Sequence, residues 1–450
     1  MAAGWRGAVG RCKHLNVQGC QLARRVLHPC AMRLAIATAL VVLFGACAAE
    51  PTIPAGDDVG PDDEEPDIAD PADELPMPDR PGQVQLIAGC TAQATIGGHP
   101  AWLFFTRPDR PCTGTAGSGL DAHALVELTR LISSVPAGGR IDGHIFSITV
   151  DGVAKALLDA QTRGVDVRIS ADGAVATSTD TAKTQYLDQL TRKVYCVSAN
   201  NTACISTTDG AISHTKLFVF STATAPDGAV SDNVVWFGSA NQTYASGERL
   251  YNNTVTLYGD TVLFGKLRAY LDDLYSRRRT ADYYDSASGR GYLLADSADV
   301  YVSPEVETDL VINRLNDVTP DATCEVRVIQ ASVRDSRIDV VNLLVTMKRG
   351  GCKVSVVADT VEPAALAALK GASIVVRHMP IHDKSFIIHG NYGGTPTFRV
   401  YSGSHNLSGG SAHRFDEIFV KLAPETGATH PLYDAYVAHF TDAFSAGTPL

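Results

Sequence analysis

His214, Lys216 and Asn241 recur as His382, Lys384 and Asn406. Each His-x-Lys runs into an apolar stretch and then a Gly-Ser-x-Asn tetrad. The first copy reads SHTKLFVFS before Gly238-Ser239-Ala240-Asn241; the second reads IHDKSFIIHG before Gly403-Ser404-His405-Asn406. The tetrad glycine stands 24 residues after the first histidine and 21 after the second. One His-x-Lys carries no information, but two, each followed by the same tetrad at nearly the same distance, mark an internal duplication. The shared residue types suit attack on a phosphodiester without a metal. One imidazole can attack phosphorus while a second protonates the leaving alkoxide. Ammonium and amide donors can hold the non-bridging oxygens as charge builds on them.

This constellation resembles the phospholipase D superfamily, whose signature is HxKxxxxD followed by GSxN. The resemblance covers roughly residues 85–445. It departs at one point: the expected Asp is Ser221 in the first copy and His389 in the second, and no acidic residue occurs between Lys384 and Asp416. The tyrosyl-DNA phosphodiesterase branch also lacks that Asp and is active. The resemblance implies a phosphohistidine mechanism with His214, Lys216, Asn241, His382, Lys384 and Asn406 in the catalytic roles, and no metal or other cofactor. It further implies that the first-lobe histidine is the nucleophile, oriented by an acid shortly after the opposite tetrad. Glu417 lies eleven residues past Asn406; the same offset from Asn241 falls on Asn252, an amide. Glu417 would keep His214 basic, and Asn252 would orient His382 without raising its pKa as much, as suits an acid. Asp416 or Asn253 would substitute after a one-residue slip. Ser239, Ser404 and Asn252 are candidate substrate contacts, and His378 is a further one. His144, His389, His405 and His413 read as structural.

The elements that must position these groups repeat as well. IDGHIFSITV, DGVAKALLDAQTRG and VDVRIS read as strand, helix, strand, and so do CEVRVIQASV, DSRIDVVNLLVTMKRGG and CKVSVV. Short linkers imply parallel pairing with right-handed crossovers. A second helix (TAKTQYLDQLTR; VEPAALAALKG) and a further strand lead to each His-x-Lys strand. Side chains alternate along a strand, so a one-residue gap aims His and Lys to the same side. Apolar residues on both faces beyond the Lys indicate a strand buried under helices. The expected fold is α/β: two lobes, 85–285 and 290–445, related by a pseudo-twofold axis. Each is a mostly parallel mixed sheet flanked by helices, with the site at the lobe interface.

Composition narrows the setting. The chain has 450 residues, 45% of them apolar, and a formal charge of −11. No Lys/Arg block stands out, so no extensive nucleic-acid surface is expected; a monomer acting on a phospholipid is. Residues 1–47 carry only basic charges, and Leu34–Ala46 is apolar but too short to span a bilayer. We read 1–47 as a leader whose true start is Met32. Leu43-Phe44-Gly45-Ala46-Cys47 resembles a bacterial lipobox with Cys47 as the lipidated residue; Ala46-Cys47-Ala48 also fits ordinary cleavage. The expected location is therefore the bacterial cell envelope, or free secretion. Residues 48–84, proline-rich and with twelve acids between Glu50 and Asp79, are expected to be a disordered tether. Six cysteines follow Cys47, an even number that suits disulfides in an exported chain. Sequential pairing is expected: Cys90–Cys112, Cys196–Cys204 and Cys324–Cys352. The last pair would sit at the starts of neighbouring parallel strands.

Overall fold

The computed structural model describes residues 87–285 and 289–450; the leader, Cys47 and the whole acidic stretch 48–84 lie outside them. The first lobe is built on eight strands: β1 (Thr91–Ile96), β2 (His99–Thr106), β3 (Arg140–Ile145), β4 (Asp166–Asp172), β5 (Arg192–Cys196), β6 (Leu217–Thr224), β7 (Val230–Gly238) and β8 (Asn252–Tyr258). Their order is β1-β2-β8-β7-β6-β3-β4-β5. The second lobe has β9 (Tyr292–Leu294), β10 (Ala298–Ser303), β11 (Glu325–Val333), β12 (Lys353–Val361), β13 (Val375–His378), β14 (Lys384–Tyr392), β15 (Thr395–Gly403), β16 (Glu417–Leu422) and β17 (Thr448–Pro449). Their order is β17-β13-β12-β11-β14-β15-β16-β10-β9. The inner order 8-7-6-3-4-5 of one sheet is thus repeated as 16-15-14-11-12-13 in the other.

Both sheets are mixed, with a smaller parallel share than expected. Only β3–β4–β5 and β11–β12–β13 run parallel. Those are the strands joined through the helices α2 (Asp151–Thr162) and α5 (Ile338–Arg349) and the segments after them. The remaining pairings are antiparallel because β6–β7 and β14–β15 are hairpins and the outer strands fold back beside them. The segment 181–189, expected as one helix, is a π turn followed by a 3₁₀ turn.

Strand alternation sorts the core into layers. Leu217 and Val219 join Val235, Val255, Ile387, Val400, Ile418 and Val420 in a cluster to which both sheets contribute. Their neighbours Phe218 and Phe220 point the other way, to Leu128 of α1 (His123–Ser134) and to Val153 and Leu157 of α2. In the second lobe Val328 and Phe386 pack likewise against Val340 and Leu344 of α5. The sheets therefore bury both faces, which is why the runs after each Lys are continuously apolar.

The three cysteine pairs are joined as Cys90–Cys112, Cys196–Cys204 and Cys324–Cys352. Cys324 and Cys352 immediately precede β11 and β12, whose first residues, Glu325 and Lys353, are register partners. Parallel register brings the two sulfurs together. Among the described residues no helix is long and apolar enough to cross a membrane.

Closing the loop between residues 324 and 352 removes chain entropy worth about 3–4 kcal/mol. Cys324→Ser combined with Cys352→Ser should lower the unfolding free energy by about that much, read from denaturant midpoints under non-reducing conditions.

Candidate active site

Each His-x-Lys sits at the entry to a strand, with β6 beginning one residue after Lys216 and β14 beginning at Lys384. The tripeptides thus lie at the sheet edge where the lobes meet. They are held there by a reciprocal exchange. The His214 amide donates to the Asp416 carbonyl (3.0 Å) and the His382 amide donates to the Tyr251 carbonyl (2.9 Å). Asp416 and Tyr251 directly precede Glu417 and Asn252. Each histidine is therefore anchored on the opposite lobe beside the residue expected to orient its ring.

That orientation is present. His214 Nδ1 donates to Glu417 Oε1 at 2.8 Å. The same carboxylate oxygen accepts from Ser411 Oγ, also at 2.8 Å. His382 Nδ1 donates to the Ser239 carbonyl at 2.9 Å, with Asn252 Oδ1 at 3.3 Å. A carboxylate or carbonyl oxygen can only accept, so both rings carry their proton on Nδ1 and present Nε2 as the basic nitrogen. The ring centroids stand 6.3 Å apart, nearly perpendicular, a separation that admits one phosphoryl group between them.

Lys216 Nζ donates to the His214 carbonyl (2.7 Å) and Lys384 Nζ to the His382 carbonyl (2.5 Å). Asn241 and Asn406 are buried. Burial, and then Lys216 and Lys384, hold the His214 pKa well below its ordinary value; burial, Lys384 and Lys216 do the same for His382. Burial raises the Glu417 carboxyl. Both imidazoles are therefore neutral at physiological pH. An anionic phosphate between them would offset the two ammonium charges and favour protonation of one ring.

Several residues take other places than the sequence implied. The hydroxyl of Ser239 donates to Asn252 Oδ1 (2.9 Å) and accepts the Asn253 amide, and Ser404 Oγ accepts the Ile418 amide. These serines tie each tetrad to the neighbouring strand. Asn252 Nδ2 donates to the Ser246 and Leu250 carbonyls, so this residue orients rather than reaches outward. A Cβ at Gly238 would stand 2.3 Å from the Asn253 carbonyl oxygen, and one at Gly403 2.3 Å from that of Ile418. The tetrad glycine thus serves strand contact. Asp416 does not substitute for Glu417: its carboxylate accepts the amides of Cys204, Ile205 and Ser206. Asn253 bonds Ser385, Ser402 and Tyr436. His378, on β13 beyond β11 and β12, lies 3.6 Å from Asp359.

The missing acids are explained by distance. Ser221 and His389 follow their lysines by five strand residues, about 16 Å. Ser221 Oγ accepts the Arg140 amide at the start of β3 (2.8 Å), and His389 stacks on Phe398. Neither position belongs to the histidine pair. One neighbour escaped the sequence reading: Phe146 packs edge-on against His214 (4.7 Å) with Lys216 Nζ over its ring (4.7 Å). Its place just past β3, the strand adjoining β6, was the available signal.

Residues 128–275 match the family described as cardiolipin synthase, PLD-like domain. No curated protein matches. Three solved structures are similar to the chain at low identity. Phosphatidylserine synthase of Haemophilus influenzae Rd KW20 is 12% identical (TM-score 0.48; 74% of this chain, 86% of that one). Polyphosphate kinase of Porphyromonas gingivalis is 12% identical (TM-score 0.45), with 73% of this chain aligned to 48% of that one, so the chain spans about half its length. Nuc of Salmonella typhimurium, a phospholipase D family member, is 23% identical (TM-score 0.28; 34% and 97%). The family match covers about a third of the chain and places a PLD-like domain in the first lobe.

Replacing Glu417 by Gln removes an anion from His214. The pKa of His214, followed by NMR titration of the ring nitrogens, should fall by about 1–2. Asn252→Ala leaves the Ser239 carbonyl on His382 and should move that ring's titration less.

Proposed function

We propose that this chain is an exported phosphodiesterase that cleaves a phospholipid head group through a phosphohistidine intermediate. The observation that carries the reading is the pair of histidines from different lobes, 6.3 Å apart, each fixed through Nδ1 by a partner on the other lobe. The Nε2 lone pair of His214 attacks phosphorus and the P–O bond to the leaving group breaks. His382, protonated once the phosphate binds, gives its Nε2 proton to the departing alkoxide. It then takes a proton from water, which attacks phosphorus and breaks the P–N bond. Lys216, Lys384, Asn241 and Asn406 hold the non-bridging oxygens. The Glu417 carboxylate supports the positive charge that His214 acquires in the intermediate, and neutral Asn252 leaves His382 free to give up its proton. The lipobox-like Cys47, the acidic tether and the absence of a Lys/Arg block support a membrane lipid rather than nucleic acid as substrate. An alcohol in place of water makes the same chemistry a phosphatidyl transfer, a reading supported by the description of the matching family; added glycerol separates the two through its product.

His214→Ala and His382→Ala should each reduce turnover of the purified protein on phosphatidylcholine, phosphatidylethanolamine or cardiolipin by at least about a hundredfold, with unchanged circular dichroism. Acid quench during turnover should trap the phosphatidyl group on His214 through a P–N bond; turnover without any such phosphohistidine adduct refutes the mechanism. Chelators should leave the rate unchanged.

The pH profile has a definite sign. In the free enzyme both rings lose their protons at a pH well below the ordinary imidazole value. The acid form of His382 therefore becomes scarce as pH rises, while the base form of His214 is lost at low pH. The kcat/KM profile should be a bell with its maximum on the acid side of neutrality; a maximum above pH 8 contradicts it.

A further inference from the structure

The two half-sites differ in polarity. Backbone bridges join Ile148 to Gln242 in the first lobe and Val333 to Leu407 in the second. They align the ends of β3 and β11 beside the two tetrads. Counting back from them, Ile145 corresponds to Gln330, Ser147 to Ser332, and Ala240 to His405. Ile145 and Ala240 are buried and apolar. Their second-lobe counterparts are as deeply buried but polar: Gln330 is 1% exposed and His405 3%, with Ser332 beside them at 1%.

Gln330 is the register partner of Lys384 between β11 and β14. Antiparallel partners project to the same face, so its amide lies alongside the lysine. Neither polar atom of that amide, nor Ser332 Oγ, makes a hydrogen bond among the described residues. Neither ring nitrogen of His405 makes a well-formed one, the adjacent peptide of Asn406 being the one backbone group in reach. His405 lies between Ser404 and Asn406 in the second tetrad, which places it at the site. An unmet buried polar group costs about 1–3 kcal/mol, so three of them beside the phosphate position require something that meets them.

The chemistry of the set selects its ligand. Burial holds the His405 pKa down to about 4, so imidazole, amide and hydroxyl are all neutral near pH 7. Each can both donate and accept. A second anion would be met by arginine or lysine, and an acyl chain would leave all three unsatisfied. Hydroxyl groups match on both counts.

We propose that Gln330, Ser332 and His405 form a subsite on the second-lobe side of the phosphate that binds the hydroxyls of a polyol or sugar esterified to it. The proposal rests on the phosphodiester reading above and narrows its substrate class.

The test uses glycerol 1-phosphate and propyl phosphate, which differ only in the hydroxyls, with binding measured by calorimetry on the intact protein. The same two groups, as p-nitrophenyl diesters, report turnover. Glycerol 1-phosphate should bind about tenfold more tightly than propyl phosphate. Gln330→Ile and His405→Ala each install the first-lobe residue, and each should reduce that preference to about threefold or less while leaving propyl phosphate binding unchanged. In turnover the loss should appear in KM for the glyceryl diester, with kcat on the propyl diester retained. Equal binding of the two phosphates by the unaltered protein, or binding of neither, overturns the subsite and leaves the three groups to water. A retained glyceryl preference without turnover of either diester refutes the phosphodiesterase reading and not the subsite. Circular dichroism checks folding, and if one variant fails to fold the other decides.

Discussion

Two backbone hydrogen bonds govern the site: the His214 amide on the Asp416 carbonyl and the His382 amide on the Tyr251 carbonyl. Neither histidine is positioned by its own lobe alone. The strand that delivers each ring fixes its direction, but its depth is set by a carbonyl on the opposite sheet. The residue following that carbonyl, Glu417 or Asn252, then reaches the ring. Exchange of this kind demands that the two sheets be docked to within a hydrogen bond's tolerance. The apolar cluster to which both contribute supplies that rigidity. Charge and packing are therefore coupled: the same burial that seats the rings depresses their pKa.

The symmetry is broken where chemistry requires difference. Glu417 and Asn252 occupy matching places, yet one is a carboxylate and the other an amide. Their surroundings match closely: Ser411 and Ser246 follow the tetrads at equal spacing, and the side chains of Ser408 and Thr243 cap the turns that carry them. The two rings therefore meet different partners in an otherwise matching frame, and a carboxylate stabilises an imidazolium that an amide does not.

Much of this was legible in the sequence, for reasons that can be given residue by residue. The resemblance implied an orienting residue shortly after the opposite tetrad, and an equal offset of eleven residues from Asn406 and Asn241 then pointed to Glu417 and Asn252. The Cys324–Cys352 pair followed from two strand starts joined by one helix. What sequence could not convey was the roles of Ser239 and Ser404, because a hydroxyl at the edge of a site serves equally as a ligand contact or a strand tie. The extent of antiparallel pairing was likewise hidden, since apolar runs on both faces arise wherever a strand is covered on both sides. Phe146 had no motif to announce it; it reaches His214 because β3 adjoins β6, the strand that follows Lys216.

The reciprocal anchoring bears on where such a chain came from. A half-length ancestor, with one histidine and one tetrad, had no opposite carbonyl to hold its imidazole and no second ring across the phosphate. It could have closed a working site only as a homodimer, lending its own strand end to a twin and receiving the same in return. Joining two such copies in one chain removes the concentration dependence of assembly and releases each copy from serving both roles. Substitutions such as Asn252 opposite Glu417, impossible while one sequence had to fill both places, became available from that moment.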